Sequence, residues 1–449
     1  MPGLHGSSTL ARPWSRRPAR PRVGPGGRPG GGRRFPARLA IAWTAVACGA
    51  CGSQIQPRSG ASGSGEVPDP GTAVDREIRV LLAEDVREAE VACDGPVRLI
   101  HPPDGGELGR AAGPAMLSVV FLEQGLRCPQ ISRTFDVPSL DVVSEGPALL
   151  TVRLGQTWRR FRGRLRFLRA SGGGGAVVNI LDIEDYLAAV VASELPARFH
   201  PETFRVQAVA ARTYAWFQIR NRPADRPWDV WATERSQVYL GEERERLVPQ
   251  AVAAVRATEG LVCSWESPEG PRIFCSYYSS RCGGMTQAAG NLRRESDIPP
   301  LAGGVACAHC RANPEPWGPV RLPCEEVTRR LKARYPAAAS LGPVASIVAV
   351  RSTPEGRAVL LEIRDAQDRR IQLEAENFRL AVDPSGREIR STWCEIRVEA
   401  GMVIFDRGTG FGHGVGLCQH GAEGLARQGW GAAAILRHYY PQTSLTRAY

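Results

Sequence analysis

The stretch DYLAAVVASELPARFHPETFRVQAVAARTYAW, Asp185 to Trp216, restricts the fold more than any other part of the chain. Asp182 and Asp185 form a capping pattern, and Tyr186, Val190 and Val191 make one apolar face. Pro196 stops the segment, so a helix is predicted whose last turn holds Glu194. A second helix is predicted from Pro201 at its first position, with Phe204, Ala208, Ala211 and Ala215 recurring at spacings of four, three and four. That small-residue face lets the helix pack closely on its neighbour.

Upstream, IRVLLA, VRLI, LSVVFL, ALLTVRL, FRGRLRFL and AVVNILDI are short β-type runs separated by Gly, Pro and Asp clusters. Residues 76–180 are therefore expected to be mostly strands. Further helices are predicted over 248–258 and 325–335, strands over 345–365 and 371–405, and a last helix after a Gly-dense loop. The absence of βαβ alternation points to an α+β fold. The expected division is a signal over 1–51, a tether over 52–75, a β-rich region over 76–174 and a second domain over 175–445.

A carboxylate in the last turn of a helix faces the negative end of the macrodipole, and Val190, Val191, Leu195 and Phe199 would desolvate it. Both effects raise the pKa of Glu194. A general acid needs that environment to keep its proton at neutral pH. The other acids of this helix, Asp182, Glu184 and Asp185, lie nine or more residues back, about 13 Å or further. Two-carboxyl glycosidases need separations of about 5 Å or roughly 6.5–9.5 Å. None of these three can pair with Glu194.

The helix pair, followed in order by SQVYLG (236–241), YYSSRCGGMTQ (277–287) and GTGFGHGVGLCQHGAEGLARQGWGAAAILRHYYP (408–441), resembles the SpoIID family, whose relatives include the amidase-enhancer proteins. The resemblance covers most of residues 175–445. It implies a SpoIID-like core that acts as a lytic transglycosylase, with Glu194 as acid/base cutting the bond between N-acetylmuramic acid and N-acetylglucosamine in peptide-stripped strands. A single carboxyl suffices if it protonates the glycosidic oxygen and then deprotonates the sugar's own 6-hydroxyl. Arg212, Tyr214, Gln237, Ser279, Ser280, Thr286, His413 and Gln419 are the candidate sugar-binding or Glu194-orienting groups, by type and motif position. The alternative is a binder of peptidoglycan that stimulates a separate cell-wall amidase.

Cys282 stands beside two glycines, and CAHC places Cys307 and Cys310 at metal-knuckle spacing. Some members of the family bind zinc near this loop, so a structural zinc on Cys282, Cys307 and Cys310 is expected. Cys275, Cys324, His309 or water would be the fourth ligand. Disulfides are the competing reading, with Cys93–Cys128 and Cys394–Cys418 as candidate pairs elsewhere.

The formal charge of +11 does not signal nucleic acid. Nine arginines precede residue 52 with no acid among them, and removing them leaves +2. They lead into the apolar run Leu39–Ala47, which suits an export signal, and Cys48 or Cys51 would carry a lipid anchor if the signal is of the lipoprotein type. Residues 1–32 are too long for an ordinary signal start, so translation is expected to begin downstream. Residues 52–75, rich in Ser, Gly and Pro, would tether the folded part to a membrane in the cell envelope.

Overall fold

A computed structural model describes residues 75–293 and 298–449. The expectations for the signal, for a lipid anchor at Cys48 or Cys51, and for the tether up to residue 74 lie outside the described residues. No described helix is long and apolar enough to cross a membrane.

The fold is α+β with mostly antiparallel sheets. Period-two alternation builds its first part: in Ala115–Phe121, Ala115, Leu117, Val119 and Phe121 are buried while Met116 faces solvent. One sheet has seven strands in the order Val230–Trp231, Glu77–Val86, Gly174–Asp182, Arg164–Ala170, Ser139–Ser144, Val97–Ile100, Glu107–Ala111. A six-stranded sheet runs from Thr157–Phe161 to Arg133–Phe135. Gly174–Asp182 is flanked on both sides by strands of the β-rich region, so the boundary expected at 174/175 falls inside a sheet. One apolar core runs from Ile78 through the helices to Ala448.

The strand Gly174–Asp182 feeds directly into helix α1 (Ile183–Glu194). Its N-cap, Asp182, accepts the Glu184 N–H at 2.8 Å, and Glu184 and Asp185 complement the positive end of the dipole. Helix α2 (Pro201–Arg220) has Pro201 in its first turn, and the His200 ring accepts the Glu202 N–H at 3.2 Å. The predicted small face is buried: Ala208, Ala211 and Ala215 are all solvent-inaccessible. Trp216, next to them, is equally inaccessible, and burying an indole contributes roughly 4 kcal/mol.

Arg212, expected to hold the sugar or orient Glu194, makes its contacts within the fold. Its guanidinium is fully buried, forks onto both carboxylate oxygens of Glu184 at 2.7 Å, and donates to the carbonyls of Val255 and Leu261. Every arm is committed to joining α1, α2 and the helix Pro249–Ala257. Arg212→Met should therefore cost about 3 kcal/mol in chemical denaturation, because it strands the Glu184 carboxylate among its remaining partners. An unchanged midpoint would contradict this structural role.

A second apolar core, between Trp317 and Phe405, gathers Val327, Leu331, Leu341, Ile363, Phe378 and Val403. It lies between two three-stranded sheets and the helices Cys324–Arg334 and Ala375–Val382. The latter helix interrupts the strand run expected over 371–405: Ala375, Phe378, Ala381 and Val382 recur at helical spacing and are buried.

Candidate active site

Glu194 is the last residue of α1, and the chain leaves the helix at Leu195 in extended conformation. The residue is half-buried, within reach of three donors from three distant segments. Its Oε1 accepts the Val238 N–H at 2.9 Å and the Tyr278 hydroxyl at 3.2 Å, and its Oε2 faces the Gln419 amide at 3.4 Å. Burial raises the Glu194 pKa above the usual carboxylate range; the three donors pull it back in part, and the exposed Glu234 pushes it up slightly.

A relay of hydrogen bonds lies behind Tyr278. Gln237, fully buried, donates its amide to the Ala211 carbonyl at 3.3 Å and to the Tyr278 oxygen at 3.1 Å, and its own oxygen accepts from Tyr186 at 3.0 Å. The Ala211 carbonyl can only accept, which fixes the orientation of the Gln237 amide. Because Gln237 donates to the Tyr278 oxygen, the Tyr278 proton is directed at Glu194. The Gln419 amide also donates to the Gln207 oxygen of α2, at 3.4 Å.

Gln237 and Gln419 thus join Glu194 in one network. The other sequence candidates lie around it with different tasks. Tyr214 is buried, edge-on to Tyr277 at 6.4 Å. Ser279 packs against Gly412, where an added Cβ would come within 2.9 Å of the serine's own Cβ. Its Oγ has no partner among the described residues. The Ser280 carbonyl accepts the His420 N–H at 3.1 Å. Thr286 is buried, and its hydroxyl accepts the Val305 N–H at 3.0 Å to close its own loop. His413 accepts the Val415 N–H on Nδ1 at 3.0 Å, which puts the proton of the neutral ring on Nε2, and its ring stands edge-on to Tyr277 at 5.9 Å. Tyr278 and Gln207 were not singled out in the sequence, and Tyr186 was read only as part of an apolar helix face; SQVYLG and YYSS mark the segments, but nothing local separates Tyr278 from Tyr277.

The parallel pair Tyr278–Ser279 and Leu417–Cys418 brings the tyrosine and glutamine donors side by side, and the cysteines lie directly behind it. Cys282, Cys307, Cys310 and Cys418 are all buried, and their sulfurs lie within 4.8 Å of one another. Cys418 was expected to pair with Cys394, but its Sγ is 3.4 Å from that of Cys310, whereas Cys394 lies against the Ser391 carbonyl in the second core. Cys93 approaches Ser144 rather than Cys128, and the ten described cysteines are all unbridged. Of the residues considered as fourth ligand, Cys275 faces Gln218, Cys324 begins a helix of the second core, and His309 packs on Gly424.

The donor set suits a tetrahedral thiophilic ion, whose sulfur–sulfur edges would be about 3.8 Å. Backbone N–H groups point at the sulfurs: Cys282 and Gly421 at Cys418, both at 3.3 Å, and Gly284 at Cys282, at 3.4 Å. Such donors stabilise thiolates. Hydrogen bonds among the four thiols push the Cys307 and Cys310 pKa values down and that of Cys282 up, while burial pushes Cys418 up. Gly421 keeps the space open, since a Cβ there would reach within 2.6 Å of the Cys307 sulfur.

Fold and site together define an α+β protein organised around one shielded carboxyl, with a four-cysteine knot behind it. Residues 171–265 match the SpoIID family, described as stage II sporulation protein. An uncharacterized protein of Brachyspira hyodysenteriae is 34% identical over 267 residues, 59% of this chain and 66% of that relative, just under two thirds of its length. Stage II sporulation protein D of Bacillus subtilis is 26% identical over 285 residues, covering 60% of this chain and 76% of its own. The amidase enhancer of Bacillus subtilis is 25% identical over 300 residues, 58% of this chain and 40% of the enhancer. Over these spans the chain is similar to the SpoIID family.

Proposed function

We propose that this protein acts on cell-wall peptidoglycan as a lytic transglycosylase with Glu194 as its acid/base. The reading is carried by one observation, a carboxyl whose pKa is raised by burial while three fixed donors hold its direction. The protonated Glu194 gives its proton to the glycosidic oxygen as the bond from that oxygen to the anomeric carbon breaks. The Tyr278 and Gln419 donors then stabilise the carboxylate left behind. That carboxylate removes the proton of the sugar's 6-hydroxyl, whose oxygen closes on the anomeric carbon as a 1,6-anhydro ring. Glu194 ends as it began, and no water is consumed.

Purified, peptide-stripped glycan is the test substrate; shortened strands are expected with the native protein. Glu234→Gln should retain rates within a few-fold, because no second carboxyl is needed. A loss as large as that of Glu194→Gln would point to a two-carboxyl hydrolase instead. The acid must be protonated to work, so kcat should be highest below the raised Glu194 pKa and fall about tenfold per pH unit above it. A rate that climbs through this range would assign Glu194 a different role.

Zinc, held by Cys282, Cys307, Cys310 and Cys418, would be structural, since four thiolates leave no open position for substrate. The location that fits this activity is the cell envelope, with a lipid anchor at Cys48 or Cys51 and peptidoglycan strands as partner. The similarity to an amidase enhancer supports a second reading, a glycan-gripping subunit of a cell-wall amidase. In that case Glu194→Gln would bind glycan and stimulate the amidase as well as the native chain does.

A further inference from the structure

The second core reaches back to the glycine-rich loop by hydrogen bonds that run mostly through the backbone. Trp317 and Gly408 exchange two at 2.9 Å, the Thr409 N–H donates to the Trp393 carbonyl at 2.9 Å, and the Gly412 N–H donates to the Arg390 carbonyl at 2.8 Å. A side chain with a full charge joins them. Arg357, 1% exposed, donates Nη2 to the Cys282 carbonyl at 2.8 Å and Nη1 to the Gly412 carbonyl at 3.4 Å. Its guanidinium lies over the Trp393 ring, 5.4 Å from the centroid. Gly414 presses on its other side, where a Cβ would come within 2.7 Å of Nη2.

No carboxylate lies within ion-pair distance of Arg357 among the described residues, and Glu376, a neighbouring acid, is committed to Arg379 at 2.6 Å. Burying an arginine without its own counter-charge is costly, and an apolar side chain of the same length would fill the space for less. The two carbonyls it bridges belong to the segment that follows Tyr278 and Ser279 and to the residue immediately before His413. Its planar fork can hold two carbonyls at once, which an ammonium cannot do with the same geometry.

We propose that Arg357 is a positioning residue: it pins the Gly412–Gly414 turn to the Cys282 segment, and so sets the His413 ring against Tyr277, the neighbour of the Tyr278 that donates to Glu194. The second core would then be a part of the active site that supplies no group touching the sugar. The inference rests on the transglycosylase reading for its kinetic consequence alone. The placement of His413 stands apart from it, because the Val415 N–H held by Nδ1 keeps the ring proton on Nε2.

The test uses the full chain with 15N-labelled histidine, His413→Gln assigning the resonance. The native protein should give the pattern of a ring protonated on Nε2. Arg357→Met should give a tautomer-averaged pattern, and kcat for glycan cleavage should fall about 10- to 100-fold, with KM changed by less than about threefold, as expected for a displaced group. Arg357→Lys, which keeps the charge, should fold and show an intermediate pattern and rate, so the comparison survives if the methionine variant does not fold. A His413 spectrum unchanged in both variants would overturn the proposal, whether or not the native chain cleaves glycan. A native chain without cleavage but with averaged tautomers in Arg357→Met would overturn the transglycosylase reading and leave the positioning intact.

Discussion

Glu194→Gln should lower kcat for glycan cleavage by about 10²- to 10⁴-fold while the protein becomes harder to unfold near neutral pH. The two effects share one cause. A carboxyl whose folded pKa is raised holds its proton more tightly in the native state than in the unfolded chain. Below the unfolded pKa both states are protonated and nothing is gained or lost. As pH rises toward the folded pKa the unfolded chain ionises first, so native stability falls through that interval and stays lower above it. Glutamine cannot ionise, and its carbonyl can still accept the Val238 N–H and the Tyr278 hydroxyl. A variant that loses activity and gains melting temperature is the signature of a carboxyl kept for chemistry at the expense of stability. A variant that loses both would mean that Glu194 serves the fold.

Cys418→Ser should have the second largest effect. It removes one corner of the four-thiol cluster, which lies directly behind the strand pair that delivers Tyr278 and Gln419. Metal content by elemental analysis should drop from about one ion per chain to near zero. The melting temperature should fall by more than about 10 °C, since structural zinc contributes directly to folding. Activity should follow, because two of the three donors to Glu194 flank this knot in sequence or in strand pairing. If the cluster were instead oxidised, the native protein would contain no thiophilic metal, and denatured chains would show the four thiols only after reduction.

The parts of this picture that were readable in the sequence are those set by local pattern. The caps and small-residue face of the helix pair and the knuckle spacing of Cys307 and Cys310 come from neighbours within a few residues, and the direction of the Glu194 shift agrees with the burial expected from its apolar run. What sequence reading missed depends on contacts across long separations. Arg212 sits in a motif, but its partners Glu184 and Leu261 lie 28 and 49 residues away, so its fold-binding task was hidden. Cys418 joins Cys310 across 108 residues, and Tyr278 reaches Glu194 across 84. The helix Ala375–Val382 was hidden for another reason: it is short and follows directly on a strand, where an apolar run fits either period. The boundary expected at 174/175 lies within a single strand that completes the sheet of one region and launches the helix of the next.

The most direct test of the central claim is the chemistry of the newly made strand end. Peptide-stripped glycan treated with the native protein should yield muramyl ends lighter by one water than reducing ends, and Glu194→Gln should form them at least about 100-fold more slowly. Reducing ends in their place would mean that water, activated by a second group, takes the role assigned here to the sugar's own 6-hydroxyl.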